Sequence, residues 1–280
     1  ALGVLAAVST ALAQDRPITL QLFQPALDSK GYFTQNASQV LRPGETSFGL
    51  VASWAKNPLE LHAGHAACPD GDPSCRSYVV ENLVTMQAQA AVGLFGRFEL
   101  SLGVPYTIWN SNADPSPDPP TDTGRADGQG LADILVSGKA RVFATSTHPF
   151  GLAFVASVML PTGSRERFLG ESQPVLAPGA IVDKDLQNDR VHVALNVGAR
   201  LRPESRTFQD DEILRSPPAG GVDVSPRACP DPLIPGLPCG TGEQVQVSRA
   251  QLTYGLGFSY AIVHRRFDVV AETYGTADPA

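Results

Sequence analysis

The chain has 280 residues, with 21 Lys+Arg against 28 Asp+Glu and a formal charge of −7. The acidic balance argues against a dedicated nucleic-acid binder, and 42% hydrophobic residues are too many for a disordered chain. No run reaches the ~18 apolar residues of a helical membrane span, and 26 Gly with 24 Pro point to β-structure and loops.

Residues 1–13 (ALGVLAAVSTALA) are apolar and uncharged and end in Ala11-Leu12-Ala13. Small residues at the first and third positions before a cut suit a signal peptidase. The stretch reads as a partial signal peptide, because a basic leader and a Met are missing from it. The alternative is a short buried helix. The protein is therefore expected to be exported, with residues 14–45 as an N-terminal periplasmic segment and 46–280 as the main domain.

From residue 46 onward the chain alternates with period two, and the alternation is long. Candidate strands are 46–56, 84–94, 98–109, 132–143, 151–161, 175–186, 191–202, 246–262 and 267–276. In 98–109 the residues Phe98, Leu100, Leu102, Val104, Tyr106 and Ile108 share one face, against Glu99, Ser101, Gly103 and Thr107. In 191–202 the residues Val193, Leu195 and Val197 oppose His192, Asn196 and Arg200. In 246–262 the residues Leu252, Leu256 and Phe258 oppose Thr253, Gly255 and Gly257. Soluble strands are mostly ~5–6 residues. These approach the ~9–11 needed to cross a bilayer at a tilt.

The connections alternate as well. Residues 95–97, 145–149, 187–190 and 264–266 are short turns; 57–78, 110–129, 162–174 and 203–243 are long loops. Short turns on one rim and long loops on the other are the wiring of an outer-membrane barrel. A soluble sandwich also alternates, but needs neither such lengths nor such loop bias. Aromatic residues near strand ends (Trp54, Tyr78, Tyr106, Trp109, Phe143, Phe150, Phe267 and Tyr274) fit an interfacial girdle, or ordinary strand-end packing. The expected fold is all-β: an antiparallel transmembrane barrel of the outer membrane, with about nine long strands. An odd count ends on the wrong rim, so the barrel is expected to remain unclosed within residues 1–280.

The strand parity gives a set of lumen-facing candidates: Gln87, Glu99, Asp133, Lys139, Arg141, His192, Arg200, Arg202, Asp268 and Glu272, with Glu81 and Thr253 on the same face. They suit either a transport path or a salt-bridged plug. The opposite face, with Leu102, Val136, Leu195 and Leu256, is expected to meet lipid. An Arg at Leu195 should then be costly and one at Asn196 much milder, because water reaches a lumen.

Four cysteines form two local pairs, Cys68/Cys75 and Cys229/Cys239, in loop-like surroundings. In an exported chain these are expected disulfides. The run His62, His65, Cys68, Cys75 also has a zinc-compatible spacing, which leaves a metal as the alternative for that loop. Asp114, Asp118, Asp122 and Asp127 match no defined calcium loop and read as solvated charge. Asn36-Ala37-Ser38 is a formal glycosylation sequon, read as chance. No G-x-S-x-G or similar nucleophile context appears, so no enzyme activity, cofactor or metal is expected, although a lumen-edge hydrolase is kept as a third reading.

Four segments carry a resemblance: 23–33 (FQPALDSKGYF), 55–59 (AKNPL), 130–143 (GLADILVSGKARVF) and 160–171 (LPTGSRERFLGE). Together they resemble the N-terminal barrel of large OmpA-family and transporter-like outer-membrane proteins of delta-proteobacterial type. The resemblance implies an outer-membrane barrel and supplies no catalytic residue and no cargo. Such proteins often carry a periplasmic module that binds peptidoglycan, and nothing in this sequence matches it. The expected function is porin-like or transporter-like passage of small solutes. The alternative is a structural anchor for an OmpA-like domain not present here. Expected partners are outer-membrane lipid and small solutes, with peptidoglycan only through that absent domain, and no nucleic acid.

Overall fold

A computed structural model describes residues 19–21, 23–62, 76–111, 128–164, 169–186, 190–209, 244–263 and 267–278. These residues form an all-β structure. Nine long strands are β1 (Thr46–His62), β2 (Arg76–Leu94), β3 (Phe98–Ser111), β5 (Ile134–Phe143), β6 (Gly151–Leu160), β7 (Val175–Leu186), β8 (Val191–Leu201), β11 (Ala250–Val263) and β12 (Phe267–Ala277). They pair in that order, every neighbour antiparallel, and curl into a half-barrel without helices among the described residues. A two-residue β4 (Gly130–Leu131) pairs with β3, and β9 (Arg206–Gln209) pairs with β10 (Gln244–Val247) as a separate ribbon.

Eight of the nine expected strands correspond to single strands that differ only in length. The remaining one, 246–262, is divided: Gln246 and Val247 belong to β10, paired with β9, and β11 begins at Ala250 after a break at 248–249. β1 and β2 run past the expected ends because their pairing continues to His62 and Arg76, across register shifts at Lys56/Leu59 and Leu59/Glu60. The β9–β10 ribbon likewise extends sheet structure into the 203–243 connection and shortens the loop. Because neighbouring strands are antiparallel, the strand ends that lead into the four long connections share one rim and those that lead into the four short ones the other. The 95–97 turn is made by Phe95 (φ 52°) and Gly96 (φ 70°), the pair of left-handed residues that a type I′ hairpin requires. Glycine adopts this conformation freely; Phe95 does so with its ring in the open, 86% exposed.

The two faces of the sheet obey the alternation but invert the ordinary burial rule. The convex face carries Phe48, Leu50, Trp54, Leu102, Phe154, Leu195 and Leu256, all exposed. The concave face carries Thr85, Gln87, Glu99, Thr107, Ser137, Lys139 and Arg200, all buried. What buries them is residues 19–45, an irregular strap with no strand of its own that lies across the concave face before entering β1. This segment, expected from sequence as a separate stretch, is packed against the sheet. The small apolar core is shared between them: Leu27 of the strap packs with Leu135, Met159 and Val175 of the sheet, and Val155 flanks the cluster.

Candidate functional site: the concave face and its strap

The concave face is built from side chains that alternate with the exposed apolar row. Cross-strand neighbours pair their hydroxyls: Thr85 with Thr107 at 3.2 Å, and Ser137 with Ser157 at 2.8 Å. Such pairs satisfy polar groups laterally. The larger polar side chains reach the strap instead.

Five sheet side chains hold the strap. Lys139 Nζ forms an ion pair with Asp28, donates to Ala37 O at 3.4 Å, and lies 3.6 Å from Glu99 Oε1. Glu99 Oε2 accepts the Leu41 N–H at 2.9 Å. Asp183 accepts the Ser38 N–H at 2.6 Å and its hydroxyl at 2.7 Å. Asn196 accepts from Asn36 N at 3.1 Å and donates to Asn36 O at 3.0 Å. Glu272 accepts the backbone N–H groups of Phe33, Thr34 and Gln35 and the Thr34 hydroxyl. An irregular segment has no ladder to satisfy its backbone, so carboxylates and an amide of the sheet supply the acceptors. Burial alone would raise the Asp28 carboxyl. The Lys139 ammonium, hydrogen bonding with the Glu99 side chain and the Lys30 N–H together outweigh it and hold Asp28 below its ordinary range.

Close approach is possible because the sheet is bare where the strap touches it. A Cβ on Gly93 would lie 2.3 Å from the Leu41 and Arg42 carbonyl oxygens, and one on Gly257 2.9 Å from the Tyr32 ring. Larger residues at these positions would lift the strap.

The expected lumen-facing residues separate into three groups. Gln87, Glu99, Lys139 and Arg200 are buried under the strap, and Glu272 grips it. Arg141, His192, Arg202 and Asp133 are tied up nearer the rims. Arg141 donates to Gly96 O at 2.8 Å, and His192 Nδ1 is 2.6 Å from Asp185. Arg202 donates to Glu171 Oε1 at 3.1 and 3.2 Å and to Gln251 at 2.8 Å. Asp133 accepts the N–H groups of Gly163 and Glu171 at 3.0 and 2.7 Å. Asp268 shares the parity but stays exposed on the edge strand β12, while Glu81 is half-buried. Three of the sequence segments singled out above meet here: Asp28 with Lys139, and Asp133 with the 160–171 stretch.

Two expectations, at Asn196 and Tyr274, need correction. Asn196 is not a wet lumen position, since its amide is committed to Asn36 on both sides. An Arg there would dislodge the strap. The Asn36 amide of the sequon accepts the Leu27 N–H at 2.9 Å, which makes it a structural element of the strap. Tyr274 shares the inward parity of Glu272, so it does not join the outward aromatic row of Trp54, Trp109 and Phe267. Sequence reasoning did not single out Asp28, Ser38, Asp183 or Asp185. The last two were within reach, because their two-residue spacing from Ile181 puts them on the same inner face of β7. Cys68, Cys75, Cys229, Cys239, the side chain of His62, and His65 lie outside the described residues, as do Asp114, Asp118, Asp122 and Asp127.

Among the described residues no group of three or more His, Cys, Asp or Glu side chains could hold a metal ion. The concave face can instead bind backbone and fix charge. No family model matches the chain, and no curated protein matches it.

Proposed function

We propose that the chain is a β-barrel component of a bacterial outer membrane, with porin-like or transporter-like passage of small solutes along its polar inner face. The observation that carries this reading is the extensive apolar surface on the convex side, with Lys56 and Lys184 on the same face. Phe48 is 79% exposed, Trp54 66%, Phe154 54% and Leu195 46%. Water would not leave so large a contiguous apolar surface uncovered, and hydrocarbon would favour it. Strands of 10–19 residues are long enough for the crossing. The resemblance to the barrel of OmpA-family and transporter-like outer-membrane proteins points the same way. β1 and β12 are the two edges of the sheet and run in the same direction. Closing it into an antiparallel barrel therefore requires an odd number of additional strands.

A second reading is favoured by the strap. Residues 19–45 cover the concave face and engage Lys139, Glu99, Asp183 and Glu272, which suits a plugged structural anchor as well as a gated pore. Planar-bilayer recording of the refolded protein separates the two. Discrete, ohmic conductance steps support passage. Stable insertion with no steps supports the anchor, and a protein that does not partition into vesicles refutes both.

A further inference from the structure

A cavity of about 180 Å³ lies between the strap and the concave face. Its polar lining includes Gln35, Ser157 and Thr253, and its apolar lining Leu27, Leu135 and Val155. One cation borders it. Arg200 is 7% exposed. Its guanidinium makes a weak contact of 3.6 Å to Met159 Sδ, and its Nε has no hydrogen-bond partner.

The neighbouring carboxylates are already engaged. Glu171 gives Oε1 to Arg202, and Asp133 takes two backbone N–H groups. They balance the charge of Arg200 at a distance but leave its Nε without an acceptor. The Nε of this guanidinium has lost water and gained no acceptor, and Nη2 has only a thioether, which is costly. The group that restores the balance is a planar acceptor pair. Carboxylate fits the guanidinium fork in two parallel hydrogen bonds.

Volume sets the size of the rest. A cavity of ~150 Å³ admits benzene, so this one takes about six to eight non-hydrogen atoms. The apolar wall selects an aliphatic remainder, and the hydroxyl and amide groups around it suit an oxygen-rich head. We propose that this cavity binds a small aliphatic monocarboxylate, with its carboxylate on Arg200 and its hydrocarbon against Leu27, Leu135 and Val155. The site goes beyond the passage reading, because it serves a plugged sheet as well as a conducting one.

Calorimetric titration of the refolded 280-residue protein with 3-methylbutanoate tests it, with 3-methylbutanamide and inorganic phosphate as competing probes. Saturable binding of the acid is expected, with the amide and phosphate each at least tenfold weaker. Arg200→Met should weaken the acid at least tenfold. Val155→Phe, which narrows the same cavity from β6, two strands away from Arg200, should do likewise and serves if Arg200→Met does not fold. No binding by the acid overturns the proposal. So does equal binding of acid and amide, which would make the cavity merely apolar, or tighter binding of phosphate, which would make the carboxylate class wrong.

Discussion

Leu195 and Asn196 are consecutive in β8 and meet opposite surroundings. Leu195 points from the convex face and is 46% exposed; Asn196 points inward and holds the strap through both atoms of its amide. The same division separates Leu100 from Glu99, and Leu102 from Ser101. On one face apolar groups are left uncovered, and on the other polar and charged groups are taken out of water. In a water-soluble domain both arrangements cost free energy. They become consistent if the convex side has hydrocarbon as its solvent and the strap serves as the inner filling. The comparison therefore locates the specific, directional interactions of this protein on its concave side, and the non-directional ones on its convex side.

The sharpest way to break the concave side is Lys139→Met. It leaves the buried Asp28 and Glu99 without their cation, and removing one partner of a buried ion pair costs about 3–5 kcal/mol. Equilibrium unfolding in lipid vesicles measures it, and a loss below about 1 kcal/mol would mean that the triad is solvated.

The convex side breaks next. Leu195→Arg should cost about 2–4 kcal/mol in vesicles if the position lies near the midplane. A cost indistinguishable from zero in the same assay would return that face to water.

Glu272→Gln sharpens the comparison at one anchor. It keeps the shape but removes the charge that accepts from Phe33, Thr34 and Gln35, and should cost about 1–3 kcal/mol locally. Hydrogen exchange should quicken at Thr34 and Gln35 and stay unchanged in β3. Uniform acceleration over the whole sheet would show that the strap does not open separately.

The smallest effect is on pH. Asp28 is depressed below its ordinary value, so its contribution is fully present above about pH 4 and is lost as pH falls through the folded-state value. Amide protection at Leu27 and Lys30 should hold from neutrality down to about pH 4 and decline below it. Weakening between pH 7 and pH 5 would assign the control of the strap to another group.

Much of the sheet was legible because a strand's side chains alternate whatever they face. The rows Leu100, Leu102, Val104 and Glu99, Ser101, Gly103 declare two faces without any knowledge of partners. Loop lengths then fixed which ends share a rim. The strap was illegible for the opposite reason. Residues 19–45 have no period, and their conformation is held by side chains 58 to 239 residues away in sequence, from Glu99 to Glu272. Nothing local marks Gly93 or Gly257 as a place where another backbone must lie. Asp28 reads as a loop charge until Lys139 is seen beside it.

Sequence alone thus determined the nine long strands of the sheet, the two-faced alternation and the long- and short-loop rims, because each depends on local periodicity and connection length. Only the tertiary structure decided that the polar face is covered by the chain's own N-terminal segment, that Asn196 is an anchor and not a wet surface, and that Arg200 keeps an Nε without an acceptor beside a cavity. Those outcomes depend on which distant groups satisfy one another in a space shielded from water, and hydrogen-bond bookkeeping of that kind has no counterpart in the order of the residues.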